Sequence, residues 1–107
     1  MLPENFDDIL DGTCFLVNLD RCIERLPIIK ERIEIAGFKP ERIGAVDGKE
    51  GLCRQKWLDL GMRSDAQYIF DSDGQSGCGL SHAKIWDHIV KNNIPYASIF
   101  EDDVLFH

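Results

Sequence analysis

The chain has 107 residues, which is enough for one domain with a modest core and leaves little room for a second. Its 12 basic and 19 acidic residues give a formal net charge of −7. This balance disfavours nucleic acid and anionic membranes as partners, because both attract clustered lysine and arginine. A ligand that carries a diphosphate would need a metal ion to offset part of this negative charge.

Two features of the sequence bear on its compartment. No apolar run approaches the roughly 20 residues of a membrane span, and residues 1–11 carry four acidic side chains and no basic one, unlike the start of a signal peptide. We therefore expect a cytoplasmic protein with no membrane span. No two cysteines form a CxxC pair, so the sequence predicts no zinc site. Without a secretory signal it predicts free thiols, with two disulfides as the alternative. The cysteines are Cys14, Cys22, Cys53 and Cys78.

The chain opens with a polar lead-in at residues 1–12 that ends in an Asp-Gly turn. The short apolar run at residues 14–17 then predicts a buried strand. Polar residues 18–21 follow it, as expected where a strand leaves the core.

A helical pattern comes next. Apolar side chains recur every three or four residues from Ile23 to Ala36, with Pro27 near the start and Gly37 as the stop signal. Residues 42–46 then predict a second strand. A strand, a helix and a strand in this order form a β-α-β unit, whose two strands should be parallel.

The second half of the chain predicts a less regular connection, a helix and a third strand. Residues 52–60 are a candidate short helix, and the polar residues 65–76 are assigned to a loop. A helix is predicted from Gly77 to Asn92-Asn93, and residues 96–100 predict the third strand. The apolar stripe of this helix, which we expect in the core, comprises Leu80, Ile85, Trp86, Ile89 and Val90.

The order of these elements predicts an α/β fold with an open, mostly parallel sheet and flanking helices, in a single domain that spans residues 1–107. In such sheets, ligands bind beyond the carboxyl ends of the strands. The three predicted strands end in polar clusters with carboxylates, at residues 18–21, 47–48 and 101–103. We expect these clusters to converge at one edge, although each taken alone is also typical of a solvated strand end.

The last cluster has the spacing of a metal site. Glu101 and Asp103 lie on the same side of an extended strand end and offer the hard oxygen ligands that suit Mn²⁺ or Mg²⁺. A solvated acidic turn is the alternative. A second acidic motif, at residues 71–74, lies in the predicted loop and lacks the further oxygen positions of a calcium loop, so we assign it to a turn.

Residues 77–82 are predicted to open a helix, and helix N-termini favour anions. Ser81 and His82 are therefore candidates for phosphate binding, with ordinary structural roles in a first turn as the alternative. Cys78 has no activating partner nearby in the sequence, so we do not expect it to be a nucleophile.

Four blocks in this order resemble glycosyltransferase family 25, which includes lipooligosaccharide and procollagen galactosyltransferases. They are FLVNLDR at residues 15–21 with Glu24 and Arg25 after it, AVDGK at 45–49, GC, LSH and W within 77–86, and FEDDV at 100–104. The resemblance implies a GT-A-like (Rossmann-like) nucleotide-sugar-binding half. It also implies a donor such as UDP-galactose and a hydroxyl acceptor on a glycan or protein.

The resemblance also implies roles for individual residues. Glu101 and Asp103 would hold Mn²⁺ (or Mg²⁺) against the diphosphate, with glutamate in place of the first aspartate of the family's aspartate-x-aspartate-like motif. No general base is identified, and His82 and Asp102 are candidates only by default. The expected nucleotide-sugar site comprises Asn18, Asp20, Arg21, Asp47, Ser81 and His82. The last two come from the predicted helix start.

Proteins of this kind continue well past the acidic triplet, whereas this chain stops at His107. We therefore expect residues 1–107 to be the N-terminal, donor-binding part of a longer glycosyltransferase-like domain, or a natural short relative. Whether they turn over substrate alone is left open. A non-catalytic nucleotide-binding module and a metal-dependent phosphoryl-transfer enzyme are the alternatives, and the latter would want a phosphate-binding glycine loop with a lysine. An unpaired sheet edge would also favour homo-oligomers.

Overall fold

The computed structural model describes residues 2–51, 53–59 and 73–105, and within them it contains a three-stranded sheet flanked by helices. The strand order is β2-β1-β3, and β1 pairs in parallel with both neighbours. The predicted α/β fold with an open parallel sheet is therefore confirmed. The strands are β1 (Thr13–Asn18), β2 (Pro40–Gly44) and β3 (Ala97–Glu101).

The helices fall between these strands and before the first. Two 3-10 helices, Asp20–Arg25 and Gly48–Glu50, follow the carboxyl ends of β1 and β2. No helix among the described residues is long and apolar enough to cross a bilayer. The α-helices are α1 (Phe6–Asp11), α2 (Leu26–Ile35), α3 (Cys53–Asp59) and α4 (Asp73–Lys91).

The central strand β1 is the middle of the core, because its side chains are buried on both faces of the sheet. Leu16 packs with Ile33 of α2 on one face, and Phe15 packs with Ile85 of α4 on the other. A continuous apolar run is typical of a parallel strand that is covered on both sides. The sheet therefore lies between a layer that contains α2 and a layer that contains α4.

The helix predicted after the first strand forms in two parts. Residues 20–25 are a 3-10 helix, and α2 follows it with Pro27 in its first turn. Gly37 ends the helical segment with φ +105, a conformation that glycine adopts without steric cost. The strand boundaries also differ slightly from the prediction, since β2 lies two residues earlier and β3 one residue later.

The predicted polar lead-in contains a helix that the sequence pattern does not reveal. Asn5 caps α1, because its Oδ1 accepts the backbone N–H of Asp8 at 2.9 Å. Ile9 and Leu10 of this helix pack against the core cluster of β1 and α2. A helix of six residues, less than two turns, is too short for periodicity to show.

Helix α4 begins at Asp73, four residues before the predicted start. Residues 73–76 are helical, so the loop prediction is wrong there, as is the turn predicted for the end of the acidic motif. The rest of that loop and motif, residues 65–72, lies outside the described residues. Residues 77–82 lie inside the helix, and the prediction that they form an anion-favouring N-terminus is therefore wrong.

The packing of Gly77 explains this error. A Cβ at Gly77 would lie 3.0 Å from the carbonyl oxygen of Val46 and 3.1 Å from the backbone nitrogen of Gly48. The helix can approach the segment after β2 this closely only because the residue has no side chain. Close packing outweighs the roughly 1 kcal/mol that glycine costs in a helix interior.

Trp86 is exposed, contrary to the prediction that it packs in the core. Ile85 and Ile89 of α4 pack against the sheet, whereas Trp86 and Val90 are 51% and 73% exposed. The apolar stripe in the sequence is wider than the face that the sheet covers. Periodicity alone does not show which half of a wide stripe is buried.

The sheet has two outer strands, β2 and β3, among the described residues. An open edge offers unpaired backbone groups to another chain. Self-association through an edge stays a prediction.

Replacing Ile33 by alanine should lower the free energy of unfolding by about 2–5 kcal/mol, because it leaves a cavity beside the central strand. Ile35 lies in the same helix but is 79% exposed, so Ile35→Ala should change stability by less than about 0.5 kcal/mol. Urea denaturation followed by circular dichroism measures both. Equal losses would contradict the orientation of α2.

Candidate functional site

The three strand ends converge on one cleft at the carboxyl edge of the sheet, with a volume of about 460 Å³. This volume lies within the range of roughly 300–1,000 Å³ that is usual for small-molecule sites. Each of the three polar clusters contributes to the walls, as does α4. The charged and polar lining residues are Arg21, Asp47, Lys49, Ser81, His82, Glu101, Asp102 and Asp103.

Arg21 and Asp47 form an ion pair across two strand ends, with 2.7 Å between Nε and Oδ2. The other carboxylate oxygen accepts the backbone N–H of Lys49 at 2.9 Å and caps the 3-10 helix Gly48–Glu50. The hydrogen bond from Lys49, together with that from Arg21, holds the pKa of Asp47 below its usual range. The pair therefore fixes a cation at the wall of the cleft.

Asn18 lies buried at the end of β1 and connects three segments of the chain. Its Nδ2 donates to the carbonyl oxygen of Cys22 at 3.1 Å and to Oδ2 of Asp102 at 2.9 Å. Its Oδ1 accepts a hydrogen bond from Nε of Arg42 at 3.1 Å. Both amide hydrogens are thus used within the protein.

Arg42 extends this network to Asp20. Its guanidinium donates to the backbone carbonyl of Asn18 at 3.1 Å and to Oδ1 of Asp20 at 2.7 Å. Neither Asn18 nor Asp20 is among the described residues that line the cleft. Direct contact of these two residues with a nucleotide stays a prediction, whereas their hydrogen bonds position the end of β1.

Ser81 ties α4 to the segment after β2. Its Oγ donates to the carbonyl oxygen of Gly77 at 2.8 Å and accepts the backbone N–H of Val46 at 2.8 Å. Nζ of Lys84 donates to the carbonyl oxygen of Gly44 at 3.1 Å. Ser81 is buried, so its hydroxyl serves the packing of the helix as well as the wall of the cleft.

Three side chains of different chemistry meet at the end of β3. Sγ of Cys78 donates to Oε1 of Glu101 at 3.5 Å, and Nε2 of His82 lies 3.3 Å from the same oxygen. Burial and the neighbouring Glu101 raise the pKa of the Cys78 thiol, which gives no support for a thiolate nucleophile. Sequence reasoning missed this group, although the four-residue spacing of Cys78 and His82 was an available signal.

The sequence profile of glycosyltransferase family 25, described as an LPS biosynthesis protein family, matches residues 12–107. The chain belongs to glycosyltransferase family 25. The family resemblance that the sequence blocks predict is therefore confirmed.

Curated relatives include a named member of this family and two other glycosyltransferases. A glycosyltransferase 25 family member of Anopheles gambiae is 33% identical over 98 residues, which cover 86% of this chain and 16% of the relative. A putative glycosyltransferase of Haemophilus influenzae is 54% identical over 33 residues, 31% of this chain and 12% of the relative. Procollagen galactosyltransferase 1-A of Xenopus laevis is 29% identical over 112 residues, 98% of this chain and 18% of the relative.

These matches also show how the length of this chain compares with that of its relatives. It spans less than a fifth of the length of the Anopheles gambiae and Xenopus laevis relatives. No solved structure matches it. Family membership therefore supports glycosyl transfer in general. The donors and acceptors of the longer relatives do not follow for this chain.

The acidic triplet offers carboxylate oxygens, the ligand type that a hard metal ion takes. Glu101 ends β3, and Asp102 and Asp103 lie in the turn after it, so the prediction of an extended strand end through Asp103 is wrong. Glu101 and Asp103 both line the cleft and are exposed, while Asp102 between them is held by Asn18. Two carboxylates, with substrate phosphates and water as further ligands, suit Mn²⁺ or Mg²⁺. Asp103 is not part of the group formed by Cys78, His82 and Glu101.

Replacing Asn18 by alanine should lower the free energy of unfolding by roughly 2–4 kcal/mol, because Arg42, Asp102 and the Cys22 carbonyl lose a buried partner. Asn92 is an exposed asparagine in the turn directly after α4. Asn92→Ala is the control and should cost less than about 1 kcal/mol. Chemical denaturation measures both, and equal costs would show that the Asn18 network does not stabilise the fold.

The ion pair at the cleft should give stability a defined pH dependence. Because the folded-state pKa of Asp47 is lowered, its contribution is present above the unfolded-state pKa and is lost as the pH falls through the folded-state value. Asp47→Asn should therefore destabilise the protein at pH 7, and its difference from wild type should shrink below about pH 4. Urea denaturation across this pH range measures the difference. A difference that grows toward acid would contradict the assignment.

Proposed function

We propose that this chain binds the diphosphate of a nucleotide-sugar donor in the cleft, for glycosyl transfer to a hydroxyl of a glycan or protein acceptor. Its membership of glycosyltransferase family 25 supports the reaction class. Similarity to a procollagen galactosyltransferase supports UDP-galactose as the donor to test first. The observation that carries the proposal is the single cleft in which the cation of Arg21 and the carboxylates of the acidic triplet meet.

Arg21 is the proposed contact for the phosphate oxygens. Its Nε is bound to Asp47, which leaves other guanidinium N–H groups for a ligand. Lys49 lines the same cleft. These cations offer local attraction to a diphosphate in a chain whose net charge is −7.

Glu101 and Asp103 are the proposed ligands of Mn²⁺ or Mg²⁺. When bound, the ion supplies stabilisation for the negative charge that develops on the departing diphosphate. Asn18 holds Asp102 at 2.9 Å and so positions the turn that carries both ligands. In this proposal, Asn18 acts through the turn and not by touching the nucleotide.

Isothermal titration with UDP and UDP-galactose, with and without Mn²⁺, tests the proposal. Wild type should bind UDP in a manner that requires Mn²⁺, and Asp103→Ala should weaken this binding at least about tenfold through loss of a metal ligand. Arg21→Gln should weaken it by a similar factor, because a charge-assisted hydrogen bond is lost.

Asp87→Ala is the matched control for these titrations. Asp87 is an exposed carboxylate of α4 that pairs with Lys91 at 2.8 Å and does not line the cleft. Its replacement should leave UDP affinity unchanged. Wild type that binds no nucleotide, or a loss in Asp87→Ala equal to that in Asp103→Ala, would overturn the proposal. Transfer to an added acceptor would then separate an enzyme from a binding module.

A further inference from the structure

The cleft also contains a group of softer metal ligands. Cys78 and His82 are four residues apart in α4, so they lie on the same face of the helix. Glu101, at the end of β3, meets both of them. The ligating atoms of the three side chains all lie within 4.8 Å of one another.

Two of the three distances within this group match those around a tetrahedral ion, and the third is no longer than 4.8 Å. Zn²⁺ bonds of about 2.0–2.3 Å place neighbouring ligand atoms about 3.3–3.8 Å apart. Sγ of Cys78 and Nε2 of His82 lie 3.5 Å and 3.3 Å from Oε1 of Glu101. An ion could therefore be accepted with only small side-chain movement.

We propose that Cys78, His82 and Glu101 form a binding site for a borderline divalent cation such as Zn²⁺ or Co²⁺. Thiolate and imidazole ligands favour such ions over Mn²⁺ or Mg²⁺. Three protein ligands leave a further coordination position for water or a substrate oxygen. All three residues line the cleft, so that position is accessible to a ligand bound there.

Cysteine spacing alone gave no sign of this site. The sequence contains no CxxC pair, and the group forms because β3 ends beside the second and third turns of α4. The site shares Glu101 with the proposed donor site but does not rest on the proposed function. A metal-free hydrogen-bonded triad is the alternative, so the test uses the metal ion alone.

Titration of the reduced chain with Co²⁺, followed by absorption spectroscopy, tests the site. A thiolate ligand gives a charge-transfer band that oxygen and nitrogen ligands do not, and Cys78 is the exposed cysteine, since Cys14, Cys22 and Cys53 are buried. Wild type should show this band with saturation at one ion per chain, and added Zn²⁺ should remove it. Cys78→Ser should abolish the band, and His82→Ala should weaken Co²⁺ affinity at least tenfold.

Asp103→Ala is the control, since it removes the proposed Mn²⁺ ligand and leaves this group intact. It should retain the Co²⁺ band, and circular dichroism should show that each variant is folded. A wild type without the band, a band that persists in Cys78→Ser, or unchanged affinity in His82→Ala would overturn the site. A Co²⁺ band in a chain that binds no nucleotide would support this site and overturn only the proposed function.

Discussion

The buried amide of Asn18 is the interaction on which the geometry of the cleft depends. A polar side chain at this depth is costly unless its donors and acceptor are all satisfied by protein groups. Its partners come from three segments: Cys22 after β1, Arg42 on β2, and Asp102 after β3. The requirement to satisfy one side chain thus fixes the three strand ends relative to one another, and the ion pair of Arg21 adds a second link between two of them.

The wall of the cleft that α4 forms depends on close packing. The sequence patterns predicted neither the start of this helix nor its buried face correctly. The apolar run of β1 predicted its strand because both faces of the sheet are covered. The helix was predicted to start at Gly77 because the residues before it are polar, whereas the close approach to Val46 places this glycine inside the helix. Trp86 was misassigned because its stripe is wider than the covered face. Both errors arise from tertiary contacts that local propensity does not contain.

The site was predictable to the extent that it follows from strand topology. Arg21, Asp47 and Glu101 line one cleft because parallel strands end at the same edge, a rule that sequence reasoning can use. The contact between Asn18 and Asp102 joins residues 84 apart and depends on side-chain conformation. No pattern in the sequence distinguishes an asparagine that binds a ligand from one that holds the wall in place.

The pairing of β3 with β1 has a consequence for folding fidelity. Glu101 pairs with Val17 in the parallel register, and successive side chains of a strand point to opposite sides. A slip of one residue would turn every side chain of β3 to the opposite face, so that Glu101 would leave its partners in the cleft and Asp102 would leave Asn18. The misaligned chain would lose the Asn18 bond and the ligands of the cleft together. A bound ligand would then stabilise only the correctly paired sheet, and would favour correct pairing over its nearest error.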